Sequence, residues 1–194
     1  MTAQDTTTDL QTMRVAAQQR EWTALQDTLK RLLAELDPLV ALGVAANRTQ
    51  AFLPTFERVY PESGWVKELM LTVISYGSAP NELPENVVTE YNEPGCGNFL
   101  LAVFDLARAV QPKYTVFERY SHIVNASANA ILADLQYAYF SERRAAFEQM
   151  RDPAVDERTR AQIQYDFWLD DSVAERDTAT WLKVADEIEA LLRN

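Results

Sequence analysis

Glycine and proline are scarce in this chain, with 5 glycines and 8 prolines among 194 residues, or about 7% of the total. Globular proteins usually contain about 12% of the two together. Because tight turns depend on these residues, so few of them leave little room for an all-β fold and favour long helices. Hydrophobic residues make up 47% of the chain and charged residues 24%, a balance typical of a globular protein rather than a disordered one.

Apolar residues recur at helical spacing along most of the chain. In the clearest run each apolar residue follows the last by three or four positions: Trp22, Leu25, Leu29, Leu32, Leu36 and Leu39. Such spacing places side chains on one face of a helix. A second segment, residues 99–110, is apolar on nearly every side, which is typical of a helix at the centre of a fold. No segment alternates with the two-residue period of a strand for long.

Capping residues mark several helix starts. Asp37 followed by Pro38 predicts an N-cap and the first turn of a helix. Thr115 with Glu118 predicts a capping box, in which each side chain bonds the other residue's backbone N–H, at the start of a long helix over 114–150. Thr8 with Gln11 predicts the start of a first helix that runs towards Asp37.

We therefore predict an all-α protein, a single-domain helical bundle of about six to eight helices. The domain would span residues 9–194, preceded by a flexible N-terminal tail at 1–8. Residues 77–97 are the exception, because they hold three of the five glycines and four glutamates without any Lys or Arg. We expect an irregular acidic connection there, and long connections in compact domains often carry function.

The charge of the chain limits its partners. Acidic residues outnumber basic ones by 29 to 18, which gives a formal net charge of −11. A negative field repels phosphate backbones and anionic lipid, so we predict no direct nucleic-acid partner and no membrane. A protein partner with a basic or mixed surface fits better, and a homo-oligomer is a further form that we consider. We predict a cytoplasmic location, because Cys96 is the only cysteine and the start of the chain lacks a secretory signal pattern.

The residues needed for common catalytic sites are missing. His122 is the only histidine, so a multi-histidine metal site within one chain is excluded. No nucleotide-binding glycine loop and no hydrolase Gly-x-Ser-x-Gly motif is present. Asp105 lies inside the apolar segment and is expected to pair with Arg108, because an isolated buried carboxylate is costly. We predict no metal and no cofactor, and the sequence favours a non-catalytic protein.

A small-molecule site is nevertheless one hypothesis. Cys96 lies between two glycines just before the apolar helix, where the positive helix end would lower the pKa of the thiol and a ligand could approach closely. His122 would pair either with Glu118, one turn away, or with Cys96 across the fold. Asn125 and Asn129 would either join two close helices or line a pocket. On this alternative hypothesis the protein is a small-molecule binder or cryptic enzyme, with a pocket near Cys96 and His122.

Aromatic residues and arginines crowd the end of the predicted 114–150 helix and the helix after it. Protein interfaces are enriched in Tyr, Trp and Arg, although rings on several helix faces are also typical of a core between helices. The candidate partner-binding residues are Tyr137, Tyr139, Phe140, Arg143, Arg144, Phe147 and Trp168. The main hypothesis is therefore a non-catalytic helical protein–protein interaction module, which serves as an adaptor, a regulator or an assembly subunit.

Overall fold

The computed structural model describes residues 3–84, 88 and 90–193, with the side chains of residues 3–5 left out. Within these ranges the regular structure is helical throughout, which confirms the all-α prediction. The helices in chain order are α1 (Ala3–Gln19), α2 (Trp22–Ala34), α3 (Pro38–Val59), α4 (Gly64–Tyr76), α5 (Cys96–Val110), α6 (Val116–Phe140), α7 (Arg144–Arg151), α8 (Glu157–Leu169) and α9 (Asp171–Leu192).

The first predicted helix is in fact two helices. Arg20 separates α1 from α2, and its φ of 58° places it in the left-handed region. The Glu21 N–H donates to the carbonyl of Ala16 at 2.9 Å, and the Arg20 N–H donates to that of Ala17 at 3.3 Å. These two bonds form a Schellman motif, a helix ending in which the left-handed residue is usually glycine. At the other end, α1 begins at Ala3, so residues 3–8 of the predicted tail are helical.

The predicted 114–150 helix also divides. Helix α6 ends at Phe140, and α7 begins at Arg144 after a link of three residues, 141–143. These two breaks explain why the described ranges contain nine helices where six to eight were expected. The helix starts predicted at Asp37 and Thr115 are present, because the Asp37 carboxylate accepts from the Leu39 N–H at 2.9 Å and the capping box of Thr115 and Glu118 is formed.

Helix α5 lies at the centre of the fold, as its apolar sequence predicts. Its most extensive contacts are with α6, and it also packs against α3 and α4. The side chain of Asn98 meets Asn129 while that of Asp105 meets His122, so α5 and α6 run antiparallel. Helix α1 packs against α2 and α9, where Trp181 is fully buried. No helix in the described ranges has both the length and the apolar character needed to cross a bilayer.

Candidate functional site

A network of polar side chains joins α5 to α6 around Asp105, a carboxylate that is only 6% exposed. Asp105 Oδ1 accepts from Arg108 Nη1 at 3.1 Å and lies 2.9 Å from His122 Nδ1. Asn129 Nδ2 donates to Asp105 Oδ2 at 3.4 Å, and Asn98 Nδ2 donates to Asn129 Oδ1 at 3.2 Å. The predicted pair of Asp105 and Arg108 is therefore present, and we call the five residues the Asp105 network.

The Asp105 network has the properties of a structural contact. Buried polar groups are ordinarily satisfied by hydrogen bonds, and here each side chain supplies a partner for the next. His122 pairs with Asp105 rather than with Glu118, which is held in its capping box. Asn129 belongs to the network, as the helix-joining interpretation expects. Asn125, one turn away, is exposed and takes no part in it.

Cys96 lies apart from the Asp105 network and is not an activated thiol. It is completely buried, and burial, with a smaller contribution from the charge of Glu93, raises the pKa of the thiol to about 12. Asp105 lies nine positions after Cys96 in α5, a rise of about 13.5 Å along the helix. His122 is hydrogen-bonded to Asp105 at that distance from Cys96, so the alternative pairing of His122 with Cys96 is not present.

The glycine before Cys96 has a packing role. Gly95 has a φ of 77°, and a Cβ built there would lie 2.1 Å from the carbonyl oxygen of Ala133 in α6. The space that the sequence suggested for a ligand is therefore occupied by the backbone of another helix. The backbone of α6 fills the space beside Gly95, and His122 is paired with Asp105. The structure therefore does not support the pocket that the sequence suggested near Cys96 and His122.

Three of the predicted partner-binding aromatics are buried in a core between α6, α7 and α8. Tyr139, Phe140 and Phe147 are each less than 9% exposed. The ring of Phe140 stacks on that of Phe167 with centroids 5.6 Å apart and contacts that of Phe147 at 5.3 Å. The crowding of rings in the sequence therefore reflects packing between helices, and these three residues are not available at the surface.

The remaining predicted partner-binding residues are more accessible but already engaged. The Arg143 guanidinium lies 4.1 Å from the centre of the Tyr139 ring and pairs with Asp170 at 3.2 Å. Arg144 forms ion pairs with Glu93 and Glu148. Half-buried Tyr137 packs its ring against Phe52 and accepts a hydrogen bond from Arg58. Trp168 is half-buried and lines a separate pocket near the α1–α2 turn.

An exposed apolar surface lies elsewhere, where α3 and α6 begin and α4 and α5 end. Two depressions of about 170 and 390 Å³ adjoin there and share three lining residues, Leu39, Leu42 and Gly77. We call their combined surface the apolar groove. Its main contributors are Leu39, Leu42, Ile74, Tyr76, Gly77 and Val116.

The most exposed residues of the apolar groove are large hydrophobic side chains. Tyr76 is 79% exposed, Leu39 71% and Val116 67%. Each lies at a helix end: Leu39 in the first turn of α3, Val116 at the start of α6, and Tyr76 before the left-handed Gly77 that ends α4. The periodicity had placed Leu39 on one helix face together with the apolar residues from Trp22 to Leu36. A more useful signal was the position of the three exposed residues beside capping residues, where the following element does not cover them.

A second concave site, about 560 Å³ in volume, lies between the α1–α2 turn and helices α6, α8 and α9. We call it the tryptophan pocket. It is lined by Gln19, Arg20, Trp22, Leu132, Trp168 and Asp177. The rings of Trp22 and Trp168 lie 6.2 Å apart, and Trp22 also contacts the buried Trp181 edge-on at 5.5 Å. Of these lining residues the sequence predicted only Trp168 as a binding residue, and it placed Trp22 on an apolar helix face.

Asp177 is the unusual group of the tryptophan pocket. It is 2% exposed, and burial raises the pKa of its carboxyl to about 6, while the charge of Arg20 and the nearby Trp181 indole oppose that shift. Even so, neither Asp177 Oδ1 nor Trp181 Nε1 has a hydrogen bond of normal geometry to any residue that the structure describes.

The described residues include no group of three or more His, Cys, Asp or Glu side chains placed to hold a metal ion. Comparisons of the chain with protein-family models, with curated proteins and with solved structures find no match.

Proposed function

We propose that this protein is a non-catalytic interaction module that binds an amphipathic helix of another protein in its apolar groove. The observation that carries the proposal is the exposure of Leu39, Tyr76 and Val116, each at least two-thirds accessible, around two adjoining depressions. Large contiguous apolar patches are uncommon on monomeric proteins and mark interaction surfaces.

The shape of the apolar groove suits a helix. One of its depressions lies between the first turns of α3 and the last turn of α4, so its walls are two helices. Gly43 forms part of this lining, and a Cβ placed there would meet no atom within 4 Å, so the groove has room at this point. A helix that presents apolar residues at three- and four-residue spacing fits such a groove along its length.

The net charge of the protein determines which kind of partner helix is attracted to the groove. The chain carries a net charge of −11, and exposed Glu35 and Asp37 precede Leu39 in the sequence by four and two positions. Arg119 lines only the smaller of the two depressions, where its Nε donates to the Tyr114 carbonyl at 3.1 Å. A partner with basic residues beside its apolar stripe is attracted, whereas a second copy of this chain carries the same net charge and is repelled.

Two designed peptides test the proposal. One is an 18-residue amphipathic helix of leucine and lysine, and the other replaces every lysine with glutamate. We expect the basic helix to bind at least tenfold more tightly, and the Leu39→Asp variant to lose that binding. Tyr165→Asp is the matched control, because Tyr165 is 59% exposed on α8 and lies outside the groove.

Equal binding of the two peptides would contradict the proposal, as would unchanged binding to Leu39→Asp. Light scattering tests the remaining outcome, which is self-association of the chain. A concentration-dependent dimer that disappears in Leu39→Asp would show that the groove binds a second copy of the chain, and would overturn the assignment to a basic partner helix.

A further inference from the structure

The tryptophan pocket is lined by a buried carboxylate, Asp177, one of whose oxygens has no hydrogen bond of normal geometry within the described residues. The cavity has a volume of about 560 Å³, and the Trp181 indole beside the carboxylate also lacks a hydrogen bond of normal geometry. Most buried polar atoms in native proteins are satisfied, so a poorly paired carboxylate that lines a cavity calls for an explanation.

The pocket's own cation does not supply the missing donor. The Arg20 guanidinium lies close enough to lower the pKa of Asp177, but its Nη2 donates to the Trp168 carbonyl. The left-handed backbone of Arg20 and the Schellman bonds of the α1–α2 turn hold that residue in place. The neighbouring Trp181 indole is a neutral donor without normal hydrogen-bond geometry, so an N–H donor of positive charge would pair with the carboxylate more strongly.

The walls of the pocket add a second requirement. The indole rings of Trp22 and Trp168 lie 6.2 Å apart at 55° to each other, and Leu132 contributes an aliphatic side chain. Aromatic faces attract cations and also provide apolar contact area for the body of a ligand. The volume lies within the range of about 300–1,000 Å³ that is usual for small-molecule sites.

We propose that the tryptophan pocket binds a small primary amine, whose ammonium group pairs with the Asp177 carboxylate while its apolar body lies against Trp22 and Trp168. An anion is disfavoured there because it would face the buried carboxylate. This site shares no lining residue with the apolar groove. The test of amine binding is therefore independent of the proposed function.

Isothermal titration at pH 8 with 2-phenylethylamine tests the proposal, with 2-phenylethanol as the ligand of the same body without the charge. At this pH the Asp177 carboxyl is ionised, since its pKa is about 6. We expect the amine to bind at least tenfold more tightly than the alcohol, and to change the tryptophan fluorescence. We expect Asp177→Asn to weaken amine binding at least tenfold.

Glu175→Gln is the matched control, because it removes one exposed carboxylate from the same helix outside the pocket. We expect it to bind the amine as the wild type does. Circular dichroism of Asp177→Asn confirms that the variant is folded, and Trp168→Leu gives a second variant that should bind the amine more weakly.

The proposal is overturned if the wild type does not bind 2-phenylethylamine, or if the amine and the alcohol bind equally. Equal binding by Asp177→Asn and the wild type would also overturn it. Phenylalanine adds a carboxylate to the same body, and tighter binding of phenylalanine than of the amine would show that Arg20 and Asp177 together recognise an amino acid instead.

Discussion

Gly95 shows how one residue fixes the contact between two helices. Its φ of 77° is unfavourable for other residues, and a Cβ would lie 2.1 Å from the Ala133 carbonyl oxygen. We expect Gly95→Ala to lower the free energy of unfolding by about 3 kcal/mol or more, because left-handed strain and overpacking act together. Urea denaturation, followed by circular dichroism, measures the change.

Gly43 is the matched control for that substitution. It lies within α3, and a Cβ there would meet no atom within 4 Å. Since alanine is the better helix former, Gly43→Ala should raise the free energy of unfolding by about 1 kcal/mol. Similar losses of stability in both variants would show that the close approach of α6 to Gly95 is not the cause.

At Cys96 burial has a larger effect on the pKa of the thiol than the nearby helix start. The sequence places it at a helix start, where a thiolate is favoured, but its complete burial and Glu93 raise the pKa to about 12. We expect a thiol reagent such as 5,5′-dithiobis(2-nitrobenzoate) to leave native Cys96 unmodified at pH 8 and to modify it fully in urea. Rapid stoichiometric reaction of the native protein would contradict this, and would return a reactive thiol to consideration.

Asp177 predicts a particular dependence of stability on pH. Its carboxyl has a pKa of about 6 in the folded protein against an ordinary value of 3.8, so folding favours the protonated form. The wild type therefore loses stability as the pH rises from about 4 to about 6, and the loss is constant above that range. The difference between the folded and ordinary pKa values corresponds to a loss of at most about 3 kcal/mol.

The variant Asp177→Asn isolates this effect. We expect it to be more stable than the wild type at pH 8 by up to about 3 kcal/mol, and equally stable near pH 3, where the carboxyl is protonated in both states. Urea unfolding of the two proteins at each pH measures the difference, and the other titrating groups cancel in it. A difference that is independent of pH would show that Asp177 is not the titrating group.

At the scale of the helices, the sequence predicts starts better than ends. Asp37 and Thr115 mark helix starts through bonds to neighbours two or three residues away, so these signals are local and hold in the structure. The end of α1 at Arg20 depends on contacts with distant residues, such as the Trp168 carbonyl that accepts from its side chain. Arginine rather than glycine occupies this left-handed position. The hydrophobic periodicity of the sequence therefore gives no sign of the break between α1 and α2.

The left-handed conformation of Arg20 can be tested by comparing two substitutions. Arg20→Gly and Arg20→Ala both remove the side chain and its bond to Trp168, so their difference reports the backbone alone. We expect the glycine variant to be more stable than the alanine variant by about 1 kcal/mol, because only alanine is strained at a φ of 58°. Equal unfolding midpoints in urea would contradict a left-handed residue at this helix junction.

The two candidate sites differ in how far the sequence could reveal them. Leu39, Tyr76 and Val116 lie beside capping residues, so their exposure could be inferred from local signals, although periodicity alone places Leu39 on an apolar helix face. The tryptophan pocket joins Arg20, Trp168 and Asp177 from three distant parts of the chain. No local pattern relates such residues, so this site emerges only from the packing of α1, α8 and α9.

For the whole molecule, apolar contact and net charge have separable effects on partner binding. The apolar groove supplies short-range contacts that determine how long a partner stays, whereas a net charge of −11 acts at long range on how often a basic partner arrives. Salt limits the range of the electrostatic interaction between exposed charges to about 10 Å at 0.1 M and to about 3 Å at 1 M, but it leaves apolar contacts largely intact.

We therefore expect the association rate of the basic helical peptide to fall about tenfold between 50 mM and 500 mM NaCl, while its dissociation rate changes less than twofold. Substitutions in the groove should do the reverse: Leu39→Ala should raise the dissociation rate and leave the association rate nearly unchanged. Stopped-flow fluorescence of a labelled peptide measures both rates. A dissociation rate that rises steeply with salt would show that charge, rather than the apolar groove, holds the partner in place.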